Sequence, residues 1–261
     1  MDIRLYLERI QFTAPVRPDV QSLNRLQHTH LLHVPFENLD IGLKTAIRLE
    51  EEALWDKIVL HKRGGFCYEL NGLFARLLQE IGFDVTYLNA RVYNREGRLG
   101  INFDHLALLV RAPGQSGQYL VDVGFGDSFN EPLPLAGPEI QDQGLRAYRI
   151  ERLQEGYAIW QRNYDGSWER HYFFDLQPHR FPEEYRPACM YHQTSPRSSF
   201  TRGNIVSRAT PEGRVSLEDG WLILTRNGKR TERAVTSGEQ YQALLFQYFG
   251  IMLQTSREAD I

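Results

Sequence analysis

The sequence has few cysteines. Two in 261 residues, Cys67 and Cys189, cannot form a disulfide framework, and a four-cysteine zinc site is excluded. There is also no His-Glu-x-x-His segment, and no metal site is expected. No apolar run approaches the ~18 residues that a membrane-spanning helix needs, so no membrane partner is expected. Basic excess is missing too: 30 Lys and Arg face 33 Asp and Glu, for a net charge of −3. That argues against a nucleic-acid binder. The N-terminal stretch MDIRLYLERIQF carries charges through its first turns and shows no secretory apolar region. A cytoplasmic protein is therefore expected. Nothing in the sequence sets an oligomeric state.

Apolar material is plentiful, at 42% hydrophobic and 12% aromatic residues. This supports a folded chain of one to three domains at about 100–200 residues each. The first third reads as helical. Asp19 is placed to cap a segment carrying Val20, Leu23, Leu26 and His30, and a further helix is predicted over 50–62. The clearest helix runs from Cys67 to Ile81, with Leu70, Phe74, Leu77, Leu78 and Ile81 on one face and Gly82 as the C-terminal glycine. After Gly82 the period changes to two. Strands are predicted over 85–93, 106–110, 119–123, 145–153, 157–162 and 168–174, with Asp165-Gly166 as a hairpin turn. Pro182 and Pro187 mark a change of character. Short strands follow over 205–208, 214–217 and 221–225, then a helix through Tyr248 with Ser237 and Gln240 as a capping box.

Chemistry concentrates in Arg63-Gly64-Gly65-Phe66-Cys67-Tyr68-Glu69-Leu70-Asn71. Two glycines deliver the chain into a helix, and Cys67 falls in its first turn, where free N–H groups and the helix dipole favour a negative charge. The dipole is worth roughly 0.3–1 kcal/mol, less than the ~1.4 kcal/mol of one pKa unit. A strong nucleophile here therefore needs a second cation. His105 opens a strand-like run, and Asp122 sits between Val121 and Val123 on the next. Adjacent strands could set Asp122 beside His105, with Cys67 on the imidazole's other side, as nucleophile, base and orienter. The residues alone leave the plainer readings open: a buried helix cysteine, a satisfied core histidine, a turn aspartate and two turn glycines, Gly124 and Gly126. His28, His30 and His33 share one predicted helix and read as a partly buried edge rather than a metal site. Glu37 and Arg63 are either an ion pair bracing the turn or two solvated charges.

PFENLDI (35–41), RGGFCYELN (63–71), Asp104-His105, VDVGFG (121–126), and Ser199-Phe200 with ATPEG (209–213) together resemble the arylamine N-acetyltransferases. With no large insertion before the last unit, the chain looks like a prokaryotic-type member. The resemblance implies an α+β fold of three units: a helical bundle (1–83), an antiparallel β-barrel (84–186) and an α/β lid (187–261). It implies a cysteine-protease-like catalytic triad of Cys67, His105 and Asp122, with Phe36, Gly124, Phe125 and Gly126 against the substrate. It also implies acetyl-CoA as the acetyl-donor substrate, no permanently bound cofactor, and aromatic amines or hydrazines as acceptors in xenobiotic metabolism. Three rivals stand beside this reading. They are a transglutaminase-like or protease-like thiol hydrolase, a family amide synthase using a larger acyl donor, and a binding protein on the same scaffold.

Overall fold

A computed structural model describes residues 1–137 and 139–253. Residues 254–261, at the end of the third expected unit, lie outside the described residues. The N-terminal segment folds as α1 (Ile3–Arg9), α2 (Val20–His33), the short strand β1 (Phe36–Glu37), α3 (Leu39–Gly42), α4 (Glu51–Trp55) and α5 (Cys67–Ile81). Asp19 caps α2 by accepting the Ser22 N–H at 2.8 Å. Gly82 ends α5 at φ +108°, a left-handed conformation that a glycine adopts without steric cost. The helix predicted over 50–62 is shorter than expected. Its α-helical part stops at Trp55, and residues Asp56–Leu60 form a wider π turn, closed by the His61 N–H on the Asp56 carbonyl.

Eight antiparallel strands follow in spatial order β5-β4-β3-β2-β9-β8-β7-β6. They are β2 (Asp84–Val92), β3 (His105–Arg111), β4 (Gln118–Val121), β5 (Leu133–Pro134), β6 (Gln141–Asp142), β7 (Ala147–Arg152), β8 (Tyr157–Arg162) and β9 (Trp168–Phe174). The sheet curls into a nearly closed barrel. Side chains bridge its open edge: Gln141 Nε2 of β6 donates to the Pro134 carbonyl of β5 at 3.2 Å, and Gln143, just past β6, accepts the Asn130 N–H, just before β5, at 2.9 Å.

Strand β3 is buried along nearly its whole length because both of its faces are covered. Alternate residues point to opposite sides. Leu106, Leu108 and Val110 join the core around α5 with Phe74, Leu77 and Leu78. Ala107 and Leu109 fill the barrel with Leu88, Leu120, Tyr148 and Phe174. β4 pairs with β3 through Leu108 and Val121. The sequence places Asp122 within a strand; it lies one residue beyond β4. Its backbone N–H turns from the ladder to Gln27 Oε1 on α2, and the Val123 N–H goes to Asn71 Oδ1 on α5.

The rest of the chain forms α6 (Arg186–Thr194), β10 (Ile205–Thr210), β11 (Gly213–Glu218), β12 (Trp221–Arg226), β13 (Lys229–Ala234) and α7 (Gly238–Phe249). Pro187, read as punctuation, sits in the first turn of α6, where a missing N–H costs nothing. The second sheet runs β1-β10-β11-β12-β13, so residues from the N-terminal segment complete it. Its core combines Leu39, Val206, Leu217, Leu244 and Phe249. No helix among the described residues is long and apolar enough to cross a membrane.

Phe74 is fully buried at the junction of helices and barrel. Phe74→Ala should cost about 3–5 kcal/mol of stability. Leu43→Ala, at a half-exposed side chain, should stay within about 0.5 kcal/mol of wild type. Urea midpoints at unchanged slope test this; equal midpoints for the two variants would contradict the packing described.

Candidate active site

The approach to α5 is a crowded turn. A Cβ on Gly64 would collide with the Pro35 carbonyl oxygen, and the Glu37 N–H donates to the Gly65 carbonyl at 2.9 Å. Charges brace this turn from beneath. Arg63 reaches Glu37 Oε1 at 2.8 Å and Asp40 Oδ1 at 3.0 Å. Lys57 Nζ lies 2.7 Å from both Asp40 and Glu69. Glu37 and Arg63 are thus an ion pair within a larger cluster. Glu69 also accepts the Phe66 N–H at 3.1 Å, which occupies one of the free donors at the helix start. Burial pushes the Glu69 carboxyl up to about 7 although Lys57 opposes it.

Cys67 occupies the first position of α5 and is buried. Its thiol lies beside the Leu106 N–H, which favours the thiolate. Burial pushes the other way and dominates, so the thiol is held well above its ordinary value, and the charge of Asp122 adds to that. The helix start therefore does not ionise this cysteine by itself; the anion needs a cation next to it.

The candidate is His105, the first residue of β3, whose chain neighbour Leu106 has its N–H against the Cys67 thiol. Its Nε2 lies 2.7 Å from Asp122 Oδ2. An ionised carboxylate only accepts, so Nε2 carries the proton and Nδ1 is left as the basic nitrogen. Asp122 collects three further donors: the Tyr172 hydroxyl at 3.0 Å, Asn71 Nδ2 at 2.9 Å and the Gly124 N–H at 2.8 Å. Burial alone would raise this carboxyl. The His105 partnership, with Asn71 and Gly124, outweighs burial and holds it below the usual range.

Asn71 binds the site together. From one turn past Cys67 it donates to the Leu106 carbonyl at 2.6 Å as well as to Asp122, and it accepts the Val123 N–H. No role for Asn71, Tyr172 or Gln27 is read from the sequence. The available signal was that Asn71 follows Cys67 by four residues, on the same helical face.

The other expected site residues gather here. Gly124 packs against the helix so closely that a Cβ would lie 2.7 Å from Cys67 Cα. Phe125 meets His105 edge-on at 5.3 Å and stacks on His171 at 4.8 Å. Burial lowers His171 to about 4, with Asp127 opposing, so the stacked imidazole is neutral near pH 7. Gly126 faces the Phe36 ring at 3.6 Å from its Cβ direction, and Phe36 in turn neighbours Phe200 at 6.1 Å. The histidines of α2 are elsewhere. His30 is a buried partner of the Tyr6 hydroxyl at 3.2 Å, and His33 Nδ1 bonds the Thr29 carbonyl. Among the described residues no group of three metal-ligating side chains occurs.

Comparison with known proteins covers the whole chain. Residues 19–258 match the N-acetyltransferase family. An arylamine N-acetyltransferase of Mycolicibacterium smegmatis is 34% identical over 266 residues, spanning 100% of this chain and 96% of that protein. The proansamycin X synthase of Amycolatopsis mediterranei is 30% identical, over 94% and 95% of the two chains. The structure of the Mycobacterium marinum arylamine N-acetyltransferase in complex with CoA superposes with a TM-score of 0.89 at 31% identity, covering 96% of this chain and 93% of that one. A likeness of this extent, in sequence and in fold, places the chain: it belongs to the arylamine N-acetyltransferase family and is an acyltransferase.

Proposed function

We propose that the protein moves an acetyl group from acetyl-CoA to the nitrogen of arylamines or arylhydrazines, by way of an acetyl-thioester on Cys67. The observation that carries this reading is the buried His105–Asp122 pair, with Nε2 held 2.7 Å from the carboxylate, next in the chain to Leu106, whose N–H meets the Cys67 thiol at the start of α5. Acetyl-CoA as the donor is supported by the M. marinum relative, whose structure is a complex with CoA.

In this reading His105 Nδ1 takes the Cys67 proton as sulfur attacks the thioester carbonyl. Proton and charge stay within the pair, which answers the cost of burying a lone thiolate. The backbone N–H groups at the start of α5 are the candidate donors to the oxyanion. The carbon–sulfur bond to coenzyme A breaks, and His105 returns the proton to the departing thiolate. An amine nitrogen then attacks the acetyl-Cys67 carbonyl and gives its proton to His105. The bond to Cys67 breaks, and the sulfur leaves as a thiolate paired with imidazolium. Asp122 orients the imidazole and stabilises its cation without taking the proton. Phe125, stacked on a neutral His171, offers an aryl acceptor an apolar face.

Protein mixed with acetyl-CoA alone should gain one acetyl group, on the peptide that contains Cys67. Aniline or a hydrazine should discharge it far faster than water. Initial-rate plots at several amine concentrations should be parallel, as for two half-reactions. Cys67→Ala should take up no acetyl group, whereas Cys189→Ala should keep most activity. An adduct discharged equally fast by water would point to a hydrolase. Acylation only by longer acyl thioesters would point to an amide synthase.

Asp122→Asn is expected to fold and to lose about 10⁴-fold in rate, the loss seen when a comparable histidine is presented in the wrong tautomer. A loss of only a few-fold in well-folded protein would remove Asp122 from the mechanism.

A further inference from the structure

The two residues before His105 are held with unusual care. Phe103 has φ +59°, a left-handed conformation that is strained for a bulky side chain. Both of its backbone polar groups are engaged. Its N–H donates to Asn89 Oδ1 at 2.6 Å, and its carbonyl accepts the Tyr68 hydroxyl at 2.6 Å. The same hydroxyl lies 3.2 Å from the Asp104 carbonyl. The Asp104 carboxylate accepts the Val92 N–H at 3.3 Å and meets His192 Nε2 at 3.1 Å. The Phe103 ring is wedged edge-on against His179 at 4.9 Å and Tyr185 at 5.0 Å.

Tyr68 immediately follows Cys67, and Phe103 and Asp104 immediately precede His105. One phenol therefore links the neighbour of the nucleophile to the neighbours of the base. Tyr68 is fully buried, and burial holds its phenol protonated well beyond the ordinary range, so it remains a donor. We propose that Tyr68 is a positioning residue that fixes the alignment of Cys67 with His105 by holding the strained Phe103–Asp104 turn. This rests on the reading of Cys67 as nucleophile and His105 as base.

Alignment matters because a shift of about 1 Å at a reacting pair can cost 10²-fold. Tyr68→Phe keeps the ring against Phe66, Tyr185 and His192 and removes only the donor. The titratable groups that bear on the pair, namely Asp122, Asp104, Tyr172 and Cys189, are all retained. A matched control exists in Tyr185, whose buried hydroxyl has no hydrogen-bond partner among the described residues.

Two measurements test the proposal: the single-turnover rate of Cys67 acetylation by acetyl-CoA, and the pH dependence of Cys67 alkylation by iodoacetamide. Tyr68→Phe should slow acetylation about 10- to 100-fold and move the alkylation midpoint to higher pH, because the thiolate loses its aligned cation. Tyr185→Phe should do neither. Asn89→Ala, which frees Phe103 from its other side, should reproduce both effects and carries the test alone if Tyr68→Phe does not fold. A wild-type rate in folded Tyr68→Phe would overturn the proposal, and so would a slower rate with an unmoved midpoint, which marks a merely structural hydroxyl. Cys67→Ala separates the two levels. If it is still acetylated, the nucleophile reading fails; if it is inert while Tyr68→Phe behaves as wild type, only the positioning role fails.

Discussion

A carboxylate shut away from water remains an anion only when donors replace the solvent it has lost. Asp122 has four of them, and each comes from a different part of the chain. His105 stands at the head of β3, Tyr172 on β9, Asn71 on α5, and the Gly124 N–H in the turn beyond β4. To satisfy this one side chain, the barrel has to present two strands and the helices have to present α5 at the same point. β2 lies between the two strands and pairs with both, Ala90 opposite His105 and Val92 opposite Tyr172. The register of three strands is thus fixed around a single charge, and the imidazole is oriented as a by-product.

Beneath Cys67 a second set of charges works differently. Lys57 and Arg63 sit among Glu37, Asp40 and Glu69, leaving an excess of carboxylates over cations. The two outcomes diverge with burial and pairing. At Asp40 the two cations overcome burial and keep the carboxyl low, whereas Glu69, more deeply placed, is pushed up to about 7. The cluster ties α3, the π turn and the first turn of α5 to one another. It holds rigid the loop that delivers Cys67.

How much of this is legible from the residues depends on whether the signal is local. α5 is legible because its apolar spacing and its terminal glycine lie within one stretch. β8 and β9 are legible to the residue because two short runs rich in aromatic and apolar residues flank the Asp165-Gly166 turn. β5 and β6 are two residues each, too short for any period. β13 is exposed throughout and wholly polar until its last residue, so nothing alternates. α6 was hidden by Pro187, which opens a helix as readily as it ends one. At the site, the residue types of Cys67, His105 and Asp122 suggest chemistry, but the partners of Asp122 do not announce themselves. Asn71, Tyr172 and Gln27 act through distances that exist only after the two cores have closed on β3. The motif resemblance carried what spacing could not, namely the donor and the acceptor class.

Phe36 and Glu37 form the short strand that completes the second sheet, opposite Ser207 and Val206. A ribosome releases the chain from its N-terminus, so these residues emerge long before their partners. Until β10 has been made, the Phe36 ring that faces Gly126 and the carboxylate that braces Arg63 have no sheet to join. The nascent protein can gather its helices and begin its barrel, but the site closes only late in synthesis. Chemistry is thereby coupled to completion. A prematurely terminated chain would carry Cys67 without the strand that seats Phe36, and Phe36 would be left exposed to chaperones and proteases.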